Sequence, residues 1–316
     1  MIEVTVINKT QLTPQVISLQ LASKDTAVLP NYEAGAHIDV HLPNELIRQY
    51  SLCGPIDAAH YEIAVLNDPN SRGGSKAIHE GLELGKTLTI SEPRNHFPLV
   101  SGAKKTLLFA AGIGITPILA MAEKLAASQQ AFELHFCVRD QQHTPYFERI
   151  SQSPWAEKAH FHFTEGDSNR RIDVSPLLEN APADTHLYVC GPVTFMEDII
   201  SKAQHAGWLN ENLHREYFSA APIDHRADQS FEVVINSSGQ VLNVPADSSI
   251  LNVLEDNDIF IPVACEEGVC GTCVTGLLEG EADHKDVFLT DQEKQLMQKI
   301  TPCCSRALSP RLVLDL

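Results

Sequence analysis

The sequence predicts a multidomain α/β plus β chain: an antiparallel β-barrel, then a doubly wound parallel α/β domain, then a small mixed sheet wrapped on one helix. Three observations predict it. The first hundred residues alternate short strand-like segments with turn residues, and no long helix precedes Gly74. From Lys104 to Cys190, buried strand-like runs alternate with helical stretches, and the first run feeds Gly112-Ile113-Gly114. Near the C-terminus, Cys265, Cys270 and Cys273 stand at spacing C-x4-C-x2-C, with Cys303 and Cys304 about thirty residues on.

In the first segment, Glu3–Asn8, Gln15–Ala22, His37–Leu42, Arg48–Cys53 and Tyr61–Leu66 each alternate or are rich in β-branched residues. Gly35, Pro43-Asn44, Gly54-Pro55 and Asp68-Pro69 punctuate them. Within Arg48-Gln49-Tyr50-Ser51, a strand places Arg48 and Tyr50 on one face and Ser51 on the other. Arginine holds phosphate and tyrosine lies against flat rings. In Arg72-Gly73-Gly74-Ser75, the glycines expose backbone N–H groups, and Ser75 is expected to cap a helix beginning near Lys76. The two stretches together suggest a flavin nucleotide site; either alone reads as an ordinary strand or turn.

The second segment opens with the buried run Lys104–Ala111, then Gly112, Gly114, Thr116 and Pro117. Thr116 suits the N-cap and Pro117 the first position of a helix from Ile118 to about Ala127. The two glycines let phosphates approach the backbone, although Pro117 stands where a third glycine would complete G-x-G-x-x-G. Asp140, just past the second strand, favours a free ribose 2′-hydroxyl and so NADH; Arg139 beside it argues for a 2′-phosphate. Cys190-Gly191-Pro192 ends a strand at the edge where such sheets bind ligands, near a nicotinamide. His160 and His162 read as ordinary strand residues. Glu216-Tyr217-Phe218 closes the segment, with an aromatic placed to cover a flavin face. Ile223–Gln229 reads as a linker, giving domains at 1–101, 102–222 and 229–316.

The last segment contains a hairpin at Phe231–Val244, a helix at Ser249–Asn257, the cysteine loop and a closing strand at Arg311–Asp315, a β-grasp pattern. The cysteine spacing is that of a plant-type [2Fe–2S] cluster and fits poorly with the paired spacings of zinc sites. Gly268 and Gly271 let the loop bend and bring backbone N–H groups to sulfur. Adjacent Cys303 and Cys304 compete for the fourth position, since neighbours on an extended segment point apart.

Formal net charge is −18 over 316 residues, which argues against nucleic acid and anionic membranes. Residues 229–316 hold 14 Asp and Glu against 5 Lys and Arg, a net of −9, which is either a solvated face or a dock for a basic partner protein. The longest apolar run, Leu107–Ala122, is broken by glycines and proline and is too short to span a bilayer. The start, Met1–Val6, reads as a strand rather than a signal peptide, so a cytoplasmic location is expected.

Taken together, Arg48–Ser51, Arg72–Ser75, Gly112–Pro117, Cys190–Pro192, Cys265–Cys273 and Cys303–Arg306 resemble the phthalate dioxygenase reductase family, and within it the reductases that serve aromatic O-demethylation. The resemblance covers essentially the whole chain, in the order flavin, nicotinamide, iron–sulfur. It implies FMN rather than FAD, with Arg48, Tyr50 and Ser51 at the flavin, Ala64, Val65 and Leu66 along its ring, and Arg72, Gly73, Gly74 and Ser75 at its phosphate. It implies Thr116 at the flavin–nicotinamide contact, Cys190 near the nicotinamide and Phe218 against the isoalloxazine. The C-x-S-R ending implies Cys303 as fourth ligand beside Cys265, Cys270 and Cys273, leaving Cys304 as a buried thiol. The path implied is NADH, FMN, [2Fe–2S], then a Rieske-type oxygenase partner; a different acceptor such as a haem monooxygenase is the alternative. A monomer is expected.

Overall fold

The computed structural model describes all residues except 26–27, 43–45, 70, 72 and 220–227, together with the side chain of residue 168. Arg72 and most of the linker therefore lie outside the described residues. The chain divides into two compact units, Met1–Glu216 and Tyr217–Leu316.

The first unit begins with β1 (Ile2–Thr13), β2 (Val16–Ser23), β3 (Ala36–His41), β4 (Ile47–Ser51) and β5 (His60–Leu66). Helix α1 (Gly74–Gly81), β6 (Thr87–Ile90) and the short β7 (Arg94–Asn95) follow. The antiparallel order is β4-β3-β6-β1-β2-β5, with β7 paired to β3. A bridge from Leu52 to Ile63 brings the end of β4 back to β5 and closes the barrel. Two register shifts in β1 help it curl. Val4, Val6, Leu19, Leu21, Ile38 and Ile63 point inward and are almost fully buried, the expected result of period-2 alternation.

Next come β8 (Lys105–Ala111), α2 (Ile115–Ala127), β9 (Phe132–Val138), α3 (Phe147–Ser151), β10 (Ala159–Phe163), α4 (Ser175–Glu179), β11 (Thr185–Cys190), α5 (Val193–His205) and β12 (Leu213–Glu216). The sheet order β10-β9-β8-β11-β12 is parallel throughout. The chain winds outward from β8 to β10, then restarts on the other side at β11. The switch point, where such folds bind ligands, lies between β8 and β11. Barrel residues Ala34, Cys53, Ala64 and Phe97 share one apolar core with α2, β8 and β9.

Two helix starts differ from expectation. Helix α2 begins at Ile115, not Ile118, because a 3-10 turn over Gly112–Gly114 runs straight into it. Gly114 takes the N-cap position, and Thr116 and Pro117 lie inside the first turn. Thr116 Oγ1 donates to Ile113 O at 3.1 Å rather than capping. Proline is tolerated there because first-turn N–H groups have no intrahelical acceptor. Helix α1 begins at Gly74, capped by the backbone of Gly73 at φ +93°, a conformation that suits glycine. Ser75 is not the cap; its Oγ accepts from Asp68 N at 3.3 Å.

The second unit contains β13 (Phe231–Ile235), β14 (Val241–Val244), α6 (Ile250–Glu255), β15 (Thr275–Glu279), β16 (Ala282–Asp283), α7 (Asp291–Leu296), β17 (Lys299–Ile300), β18 (Arg306–Ala307) and β19 (Arg311–Leu314). Its mixed sheet runs β14-β13-β19-β15-β17, with β16 and β18 as a separate pair. Val233, Val244, Leu254, Ile300, Leu312 and Leu314 form its core against α6. Ser249 caps α6 by accepting from Asn252 N. Among the described residues no helix is long and apolar enough to cross a membrane.

Candidate functional site

In the barrel, Arg48 lies across the start of α1: a Cβ added at Gly74 would stand 2.7 Å from Arg48 Cγ. Glycine at 74 therefore lets a guanidinium side chain lie against a helix N-terminus, an arrangement whose charge and N–H groups suit an anion. Tyr50 is half-buried on the same face of β4, and burial holds its phenol well above the usual range. Ser51 is buried and its Oγ donates to Glu216 at 3.5 Å. Ala64 and Val65 are buried, and Leu66 lines a cavity of about 920 Å³.

That cavity extends from the barrel to the parallel sheet and is also lined by Gly112, Ile113 and Pro192. Gly112 adopts φ +55°, and a Cβ there would meet nothing within 4 Å, so its backbone is open to a ligand. At Gly114 the reverse holds. A Cβ would stand 2.4 Å from Cys190 O, so only glycine lets the α2 entry turn meet the end of β11. Gly191 is hemmed in the same way, its notional Cβ 2.8 Å from Ala111 Cβ. The turns after β8 and β11 thus meet at the switch point.

Glu216 sits beside Cys190 in the β11–β12 ladder. Burial pushes its carboxyl up to about 8, with the Ser51 hydrogen bond opposing that rise. Cys190 is fully buried, and burial followed by the Glu216 charge drives its thiol well above the usual range. Burial thus favours the neutral form of both groups, and Cys190 is held as a thiol rather than a thiolate nucleophile. Sequence reasoning missed Glu216 while passing over it toward Phe218. The available signal was an acid at the end of a strand in the ligand-binding edge of the sheet.

Asp140 Oδ1 accepts from both His143 N (3.0 Å) and His143 Nδ1 (2.8 Å), which holds its carboxyl low, and it does not line the cavity. Phe218 belongs to the second unit and is 41% exposed.

In the second unit, Cys265 Sγ accepts from Glu267 N and Val269 N, and Cys270 Sγ from Thr272 N, all at 3.4 Å. Cys273 and Cys303 sulfurs are 3.3 Å apart, and Cys265 and Cys270 hydrogen-bond one another. Gly268 and Gly271 both adopt φ +71°. A Cβ at Gly271 would collide with the Phe288 ring, and one at Gly268 with Cys304 Sγ. Cys304 is buried beside Thr301 and Ser305, with Sγ 3.4 Å from Thr301 Oγ1. Among the described residues no three His, Cys, Asp or Glu are grouped to hold a single metal ion. The loop thiols form two pairs fed by N–H donors, and that donor set fits a two-iron cluster of soft thiolate ligands.

Residues 108–201 match the model of the oxidoreductase NAD-binding domain, and residues 233–308 that of the 2Fe-2S iron-sulfur cluster binding domain. The chain is 51% identical over 317 residues to a vanillate O-demethylase oxidoreductase of Pseudomonas sp., covering 100% of each. It is 38% identical to a phthalate dioxygenase reductase of Burkholderia cepacia, covering 98% of this chain and 95% of that one. A solved phthalate dioxygenase reductase, described as modular for electron transfer from pyridine nucleotides to [2Fe–2S], superposes with a TM-score of 0.78 at 37% identity, covering 99% and 97%. An intact self-sufficient cytochrome P450 monooxygenase superposes with a TM-score of 0.85 at 35% identity; the chain spans 41% of its length.

Proposed function

Because the chain belongs to the phthalate dioxygenase reductase family, we propose that it is an NADH-dependent oxidoreductase that supplies electrons to a Rieske-type oxygenase of the vanillate O-demethylase kind. The observation that carries this reading is the presence of an NAD-binding domain and a 2Fe-2S domain in one chain, aligned end to end with the vanillate-type relative. Bound FMN would take electrons from NADH as a pair and release them singly to a [2Fe–2S] cluster.

The chain's own residues would bind, align and insulate. Arg48 with the Gly73-Gly74-Ser75 turn, and Arg72 in our reading, would hold the FMN phosphate. Tyr50, Ser51 and Ala64–Leu66 would line its ring. Gly112, Gly114, Thr116, Pro117, Gly191 and Pro192 would position the dinucleotide, with Cys190 near the nicotinamide. Neutral Glu216, hydrogen-bonded to Ser51, would keep a proton beside that pocket without placing a charge in it. Cys265, Cys270, Cys273 and Cys303 would hold the iron, and Cys304 would pack behind the loop. The acidic residues of 229–316 would face a basic partner surface. Domains at 1–101, 102–222 and 229–316, a monomeric state and a cytoplasmic location complete the reading. A haem acceptor is the second reading, favoured by the self-sufficient P450 likeness.

Two measurements test it. Extracted flavin should chromatograph as FMN. NADH-driven turnover should be supported by a vanillate-type Rieske oxygenase and not by a haem monooxygenase; the opposite preference would transfer the chain to the second reading.

A further inference from the structure

The cavity lined by Gly112 and Pro192 is also lined by two arginines, Arg139 and Arg171. Arg139 directly follows β9, and Arg171 lies in the loop after β10. The ends of these strands are tied by Thr164 N to Val138 O (3.1 Å) and Glu165 N to Arg139 O (2.6 Å). The strand neighbouring the phosphate-turn strand is where an α/β nucleotide site reads the 2′ position of the adenosine ribose.

The carboxylates nearby are already engaged. Asp140 is held by His143, Glu165 pairs with Arg170, and Asp198 pairs with Lys202 at 2.8 Å. Asp198 and Lys202 both line the cavity and cancel each other's charge. Among the described residues, neither Arg139 nor Arg171 has an ion-pair or side-chain hydrogen-bond partner, and both are exposed to solvent. Two unpaired cations lining one cavity stand out in a chain of net charge −18. The acid expected to repel a 2′-phosphate, Asp140, is meanwhile turned into its own loop.

We infer that Arg139 and Arg171 form a 2′-phosphate subsite, so that the protein accepts NADPH as well as NADH. The inference rests on the reading of this cavity as the dinucleotide site. An arginine pair supplies forked donors that match a phosphate dianion, and a free 2′-hydroxyl makes no comparable demand on them.

Calorimetric titration of the full-length protein with 2′,5′-ADP and 5′-ADP compares one adenosine with and without the 2′-phosphate. The 2′,5′ form should bind at least about tenfold more tightly at low salt, and Arg139→Ala/Arg171→Ala should abolish that advantage. In the holoenzyme, the ratio of kcat/KM for NADPH to that for NADH should fall about tenfold in the same double variant. Equal binding of the two adenosines, or an advantage that survives the double variant, overturns the subsite. Failure of both dinucleotides to reduce the flavin would instead sink the oxidoreductase reading, while the adenosine titration still decides the subsite.

Discussion

The Ser51 hydroxyl, at the end of a barrel strand, donates to the carboxyl of half-buried Glu216, at the end of the last strand of the parallel sheet, across 165 positions of sequence. It joins the two halves of the first unit next to Cys190. Since burial raises the Glu216 pKa to about 8, the proton it carries is a property of the fold and sensitive to pH.

The sign follows from linkage. Folded Glu216 keeps its proton up to about pH 8, whereas in the unfolded chain it loses it near 4.5. Its contribution to stability is therefore full below 4.5 and is lost as pH rises through 8. Glu216→Gln should flatten the fall in melting temperature between pH 5 and about 8.5. An unchanged pH profile in the variant would place the titration elsewhere. Ser51→Ala should slow flavin reduction by NADH about tenfold or more, read by anaerobic rapid mixing.

Gly114→Ala would press a methyl group into Cys190 O. Overpacking of this kind costs about 1–3 kcal/mol, measurable by urea unfolding, and should also weaken NADH binding because the cleft turn must shift. A variant of wild-type stability would mean that the two turns separate freely.

Arg149 makes two bonds of 2.8 Å to Glu123 and reaches Glu62 at 3.4 Å. Tyr146 OH donates to the other Glu62 oxygen at 2.8 Å and lies 3.1 Å from Cys53 Sγ. This network ties the barrel to α2 and α3. Arg149→Leu should destabilise the first unit by about 3 kcal/mol, since it strands two poorly solvated carboxylates. Tyr146→Phe should cost about 1–2 kcal/mol. A loss below about 0.5 kcal/mol in both would show the network to be solvated.

What was legible in the sequence was local. The cysteine loop reads directly because three cysteines fall within nine residues, and the barrel strands read because alternation is a period-2 signal. Gly112 and Gly114 stood out for being close together, but sequence did not show that Gly112 leaves its backbone open while Gly114 packs against Cys190 O. Glu216 was hidden because its partner Ser51 is distant in sequence and its raised pKa comes from burial alone. The turn that ties Asp140 to His143 was not legible, because sequence shows a carboxylate at a strand end but not its partner. Thr116 and Ser75 looked like caps, yet preceding glycine turns started both helices earlier. Likewise His135, stacked on His160 and 3.1 Å from His162, joined residues that looked isolated along the chain.

Cys303 and Cys304 can be told apart by substitution. Cys303→Ser, like Cys270→Ser, should remove the visible cluster absorbance while sparing flavin reduction by NADH. Cys304→Ser should retain the cluster, because that thiol packs against Gly268 and Thr301. The reverse outcome for the adjacent pair would exchange their roles.

The transfer of electrons from a pair to single steps is tested most directly by anaerobic stopped-flow mixing of the holoprotein with NADH, followed at flavin and iron–sulfur wavelengths. The account predicts flavin bleaching first, then cluster reduction in the same molecules. Flavin bleaching with a cluster that stays oxidised would contradict it.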